Sequence, residues 1–147
     1  MLYRRLPIFV LVVAVLVTGT ASTAGAEDLY RRDRMLRLLN VVRRNHNLPT
    51  FRLNRALSTD AWRHSKRMAE QNRIFHTTNL YRVVSSYGPS TWGENVAKCE
   101  SLRQVRTMWM RSPGHRANLL KRAYRRIGIG VVKARGWVWV TAVFYGR

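Results

Sequence analysis

Ile127-Gly128-Ile129-Gly130-Val131-Val132-Lys133-Ala134-Arg135-Gly136-Trp137-Val138-Trp139-Val140-Thr141-Ala142-Val143-Phe144 is the stretch that decides the fold. Ile127, Ile129 and Val131 alternate with glycines, the period-two pattern of a strand. After a turn at Gly136 the residues are apolar on both faces, and such a strand needs cover on both sides. The short connection predicts that 126–133 and 137–145 pair as antiparallel strands within a sheet. Helices upstream are available to cover it, which gives a helix–sheet–helix layering.

Upstream of the hairpin, Ser112-Pro113 has the form of an N-cap followed by proline at the first helical position, opening a short helix through His115, Asn118 and Leu120. Ser101-Leu102-Arg103-Gln104 resembles a capping box, with Leu102, Val105, Met108 and Trp109 as the apolar stripe of the helix it opens. Ile74 to Trp92 has no clean period and carries Tyr87-Gly88-Pro89, so a long loop with a turn of helix is expected. A helix capped by Asn54 follows from Leu57, Ala61, His64 and Met68 on one face. The first helix, Leu29 to about Asn45, carries Met35, Leu38, Leu39 and Val42 with arginines between them, and Asn47-Leu48-Pro49 ends it.

Residues 1–26 read differently. Arg4 and Arg5 precede an apolar run from Leu6 to Val17, and Ala24-Gly25-Ala26 offers small residues for cleavage, the pattern of a secretory signal peptide. Twelve apolar residues at about 1.5 Å each fall short of a bilayer core of roughly 30 Å, so no stable membrane anchor is expected. Residues 27–147 then form one domain, secreted, with no linker or repeat dividing it. Cys99 is the one cysteine, so the fold must hold without an internal disulfide; Cys99 is either a small buried hydrophobe or a site of intermolecular pairing.

The chain has a formal charge of +20, and loss of Arg4 and Arg5 with the leader leaves +18. That balance suits anionic envelope polymers or lipid headgroups; the leader argues against nucleic acid. Arg111, Arg116, Lys121, Arg122, Arg125 and Arg126 lie on and just after the Ser112-Pro113 helix, where they are expected to cluster beside any cavity there. The competing reading is arginine-rich codon usage on solvated faces.

Chemistry-bearing residues are few. His76, Glu94 and His115 sit at element edges, and two imidazoles with a carboxylate can hold a divalent metal such as zinc. Nothing in their spacing places them together locally, so convergence has to be tertiary. Glu94 has a second reading, a carboxylate accepting buried backbone N–H groups at a turn. His64 reads as a hydrogen-bonded core histidine and His46 as solvated. The start of a helix at His115, with Arg116 next to it, disfavours imidazolium there, and Glu94 opposes both if it is close.

Taken in order, Asn40-x-x-Arg43, Leu48-Pro49, His64-Ser65-x-x-Met68-Ala69, His76, Gly93-Glu94-Asn95-Val96-Ala97 and Trp109-x-x-Ser112-Pro113-Gly114-His115-Arg116-x-Asn118 closely resemble the CAP superfamily (cysteine-rich secretory proteins, antigen 5, pathogenesis-related proteins), in its bacterial secreted, SCP-like form. The resemblance implies an α+β fold, an α-β-α sandwich with a central antiparallel sheet. It also implies a cavity lined by two histidines and two acids, matched here by His76, His115 and Glu94. Ser112 stands at the position of the second acid, which removes an anionic ligand and weakens or abolishes metal binding. Sterol and lipid binding are known for some members. Two functions follow: a monomeric, non-enzymatic binding domain for a lipid, small hydrophobic ligand or anionic envelope component, or a metal-dependent hydrolase using His76, Glu94 and His115.

Overall fold

The computed structural model describes residues 21–147, with side chains from Gly25 onward. The leader's charged and apolar regions lie outside the described residues. Helix α1 (Ala21–Asn45) begins earlier than the Leu29 start read from the apolar stripe and runs through Ala24-Gly25-Ala26. Short strand β1 (Arg52–Leu53) follows, then α2 (Arg55–Glu70), a short α3 (Leu80–Val84) and β2 (Thr91–Cys99). Helices α4 (Leu102–Arg111) and α5 (Pro113–Leu120) lead into the β3 (Arg126–Ala134) and β4 (Trp137–Gly146) hairpin.

The sheet order is β1-β3-β4-β2, antiparallel except for the two-residue parallel bridge of β1 to β3. The expected hairpin forms, with Arg135 and Gly136 in the left-handed region at its turn. On one face Met35 and Leu39 of α1, Val105 and Trp109 of α4 and Leu119 of α5 bury against Ile127, Ile129, Val131, Val140, Ala142 and Phe144. On the other face α2 presents Leu57, Ala61, Met68 and Ala69 to Val143, Tyr145, Val96 and Trp139. Both faces of β4 are thus covered, as its two-sided apolarity required.

Strand β2 is the main departure from the sequence reading, which placed Glu94 at a turn. All nine of its residues pair with β4, from Thr91 opposite Gly146 to Cys99 opposite Val138. Trp92, Glu94 and Val96 share the α2 side; Gly93, Asn95 and Ala97 share the other. Of these, Glu94 and Asn95 are buried polar residues, so the apolar alternation that marks a strand is broken where the chemistry sits.

The motif residues Asn40 and Arg43 bind the fold from within. Asn40 exchanges two hydrogen bonds with the Phe51 backbone, at 3.1 and 2.8 Å. Arg43 is fully buried and gives its guanidinium to four carbonyls, those of Pro49, Leu119, Lys121 and Tyr124, at 2.8–3.0 Å.

Candidate functional site

At the free edge of the sheet, β2 carries Glu94 with its carboxylate only 3 % exposed. Its Oε1 accepts from the His76 ring at 2.7 Å and from the Thr77 amide at 2.9 Å, and Oε2 accepts from the Thr77 hydroxyl at 2.6 Å. A buried carboxylate is stable only when so compensated. The reading of Glu94 as an acceptor of backbone N–H describes part of this geometry, on a strand rather than at a turn, and the carboxylate also orients His76. His76 uses Nδ1 on Glu94, leaving Nε2 toward solvent on a ring that is 61 % exposed.

His115 reaches the same edge from α5. Its Nδ1 lies 2.9 Å from the Ser112 hydroxyl, so the N-cap serine turns to the histidine and makes no side-chain bond to the helix start. The ring stacks on Trp109, centroids 6.3 Å apart, and Trp109 Nε1 donates to the Val96 carbonyl. Asn95 donates to the His115 carbonyl at 3.0 Å, and Asn118 donates back to Asn95 Oδ1 at 2.9 Å. These two asparagines, to which the sequence reading gave no role, fix α5 on β2. Gly93 lets them do so: a Cβ there would lie 2.6 Å from the Tyr124 hydroxyl and 2.9 Å from Asn118 Oδ1.

The pKa of His115 is lowered, first by burial and then by the charge of His76. The direction matches the expectation from the helix start and Arg116, but the causes are different ones. His64, buried beneath this edge and 3.0 Å from the Thr141 hydroxyl, is also lowered by burial, against an opposing pull from Glu94. Burial thus favours the neutral form of both imidazoles in the fold. The unfolded chain binds more protons just below the ordinary value, so stability falls as pH drops through about 6.5. In an NMR titration the His115 midpoint should lie below 6.5, and His76→Ala should move it upward. A midpoint indifferent to His76 would separate the two rings.

The donor set does not fit a three-ligand zinc site, which requires three protein ligands on one ion. Three hydrogen bonds occupy the Glu94 oxygens, and Ser112 is engaged by His115. Among the described residues no three His, Cys, Asp or Glu side chains are grouped to hold a metal ion. The open functions are His76 Nε2 and His115 Nε2, beside an apolar ledge. Tyr81 and Trp92 pack ring on ring with centroids 5.0 Å apart, yet remain 54 % and 39 % exposed. Trp92 lies two residues before Glu94 on the same face of β2. Aperiodicity in 74–92 concealed this pair.

The remaining expectations are distributed over the surface. Cys99 is half-buried with Sγ 3.9 Å from Met108 Sδ; burial, then Glu100, raises its thiol pKa and suppresses the reactive thiolate. The cations expected to gather beside the cavity do not form one cluster. Arg111 lines a groove with Cys99 and Arg103, Lys121 donates to Thr91, and Arg125 and Arg126 line another groove with Arg52. No helix among the described residues is long and apolar enough to cross a membrane.

Comparison with known proteins agrees with the fold and the motif order. The chain is 31% identical over 137 residues to the uncharacterized protein YkwD of Bacillus subtilis (strain 168), covering 88% of this chain and 52% of YkwD, so it spans about half the length of that relative. The SCP-domain structure of an extracellular protein from Bacillus anthracis str. Ames superposes with a TM-score of 0.74 at 25% identity, over 87% of this chain and 44% of that one. An outer surface protein of Borrelia burgdorferi shares the fold, with a TM-score of 0.72 at 20% identity over 80% of this chain and 93% of that one. The model of the cysteine-rich secretory protein family (CAP) matches residues 36–144, from within α1 to Phe144 in β4, and the chain belongs to that family.

Proposed function

We propose that this chain is an exported, non-enzymatic binding domain whose ligand is an amphiphile. Its polar or anionic head meets His76 and His115, and its apolar body lies on Tyr81 and Trp92. The observation that carries this reading is the burial of Glu94, with three of its roughly four acceptor positions already taken by His76 and Thr77. A carboxylate buried to 3 % exposure and held by His76 and Thr77 is a fixed counter-charge that orients an imidazole. A general base has to reach the proton it removes, and these oxygens face inward.

Lipids and small hydrophobic ligands combine the two chemistries that the ledge and the imidazoles offer. The leader pattern of Arg4-Arg5, the apolar run and Ala24-Gly25-Ala26 supports export. The alternative, a metal-dependent hydrolase, would need an ion or water to reach the buried Glu94 carboxylate, whose oxygens already accept from His76 and Thr77.

Titration with a long-chain fatty acid, followed by tryptophan fluorescence, tests the reading. His76→Ala and Trp92→Ala should each weaken binding by roughly tenfold, the scale of one charge-assisted hydrogen bond or one buried aromatic side chain. A chelator should leave the affinity unchanged. Binding indifferent to both substitutions would reject the site. Ester hydrolysis lost on chelation and in Glu94→Gln would establish the hydrolase instead.

A further inference from the structure

The opposite edge of the sheet carries a second feature, independent of the site at β2. Pro49, Thr50, Arg52, Arg125 and Arg126 line a groove of about 480 Å³ where β1 meets the start of β3. Arg52 and Arg126 are register partners in the parallel bridge, and the Arg52 amide donates to the Arg125 carbonyl at 2.9 Å. The backbone thus fixes three exposed arginines around one concavity. Arg52 and Arg126 thus present two like charges side by side on exposed side chains of one bridge, an arrangement that an anion between them would relieve.

Among the described residues no ion pair reaches the groove. Every carboxylate that forms an ion pair among the described residues pairs elsewhere: with Arg31, Arg32, Arg63, Lys66 or His76. The carbonyls that would ordinarily temper such a corner are turned inward. Those of Pro49, Lys121 and Tyr124 accept from the buried Arg43 guanidinium behind it. Arg43 itself feels the corner: its pKa is lowered to about 10, first by burial and then by Arg125 and Arg122. Five arginines, 43, 52, 122, 125 and 126, therefore sum their fields at one end of the sheet, and a concave, carboxylate-free cluster focuses such a field.

We propose that this groove is a phosphate-binding site in which Arg52, Arg125 and Arg126 grip the oxygens of a phosphate group, carried either by a lipid headgroup or by a small soluble phosphate. Guanidinium forks match phosphate oxygens two at a time, which a lysine cannot do. Three forks around one concavity also suit a multiply charged tetrahedral anion better than a planar carboxylate.

Inorganic pyrophosphate and vesicles of phosphatidylglycerol in phosphatidylcholine probe the two sources. The groove variant Arg52→Gln/Arg125→Gln/Arg126→Gln is compared with Arg103→Gln/Arg106→Gln/Arg111→Gln on α4, which removes the same charge. Pyrophosphate should raise the melting temperature of the wild type and the α4 variant and leave the groove variant unmoved. Retention on vesicles confined to proteins with an intact groove identifies a lipid-borne phosphate. A pyrophosphate response without vesicle retention identifies a soluble one. In pyrophosphate-free, low-salt buffer the groove variant should melt no lower than wild type, because repulsion on Arg43 is relieved. Equal losses in the two triples, or no response to either probe, overturn the proposal. Should the glutamine triple fail to fold, the lysine triple at 52, 125 and 126 decides. Pyrophosphate affinity reduced about tenfold with charge retained supports the forks, and undiminished affinity overturns them.

Discussion

Replacing Arg43 by methionine is expected to remove roughly 3–5 kcal/mol of stability, the scale of breaking a buried charge interaction on one side only. For a domain of this size that is a fall of roughly 10–20 °C in melting temperature. Methionine keeps the aliphatic stem, so the loss isolates the guanidinium. Two effects compete. Burying a cation without a carboxylate is costly, and the lowered pKa of Arg43, about 10, records that cost. Against it stand four hydrogen bonds to carbonyls and a stack on Phe51, 4.3 Å from guanidinium carbon to ring centroid. Removing a buried ion together with all its partners can be neutral, but here the carbonyls remain. Those of Leu119 and Lys121 belong to the C-terminal end of α5, where helix carbonyls have no partner within the helix and positive charge is favoured. Because α5 carries His115, the same variant should also loosen the candidate site. Arg43→Lys, with three donors and no fork, should recover part of the loss. A loss below about 1 kcal/mol in the methionine variant would mean that water reaches those carbonyls.

Arg43 also marks where sequence reading reaches and where it stops. It follows Leu39 by one helical turn and so continues the face of Met35 and Leu39 into the core, a position that its residue type disguised among 23 arginines. The β3–β4 hairpin was legible because Ile127, Ile129 and Val131 alternate with glycines and the stretch 137–144 is apolar on both faces apart from Thr141, with Gly136 at the turn between them. Helices α2, α4 and α5 were legible because Asn54, Ser101 and the Ser112-Pro113 pair announce their starts. The Ser101 box closes differently from its simple form: Gln104 accepts from the Glu100 amide rather than from that of Ser101. Strand β2 was hidden because Glu94 and Asn95 serve the site, and their polar burial erases the alternation. Of the site, His76, Glu94, Ser112 and His115 were named from the motif order. What no one-dimensional pattern carried was their pairing: Glu94 with Thr77, His115 with Ser112, and Asn95 with Asn118 across some twenty residues of chain.

Gly130→Ala should destabilise the domain by roughly 3 kcal/mol or more, at the upper end of overpacking effects. Local preference argues the other way, since alanine in a strand interior restricts the unfolded chain and should favour folding by up to about 1 kcal/mol. Sterics decide the sign. A Cβ on Gly130 would collide with the Ala61 carbonyl and the Trp62 amide, which are backbone atoms of α2 and cannot rotate away. The helix would have to lift from the sheet, stretching the bond from the Ser65 hydroxyl to the Gly130 carbonyl, now 3.1 Å, and with it the buried Ser65–Thr141–His64 chain. Gly128→Ala meets the Leu57 side chain as well as its backbone; part of that obstacle can turn aside, so the penalty should be smaller. The contacts that place His115 run from α5 to β2 on the opposite face, so a folded Gly130→Ala protein should keep that half of the site while His64 shifts. Urea denaturation of the two alanine variants checks the order. Because the obstacle is backbone, adding Ala61→Gly should not restore Gly130→Ala, and a restoration would show that α2 approaches the sheet through side chains after all.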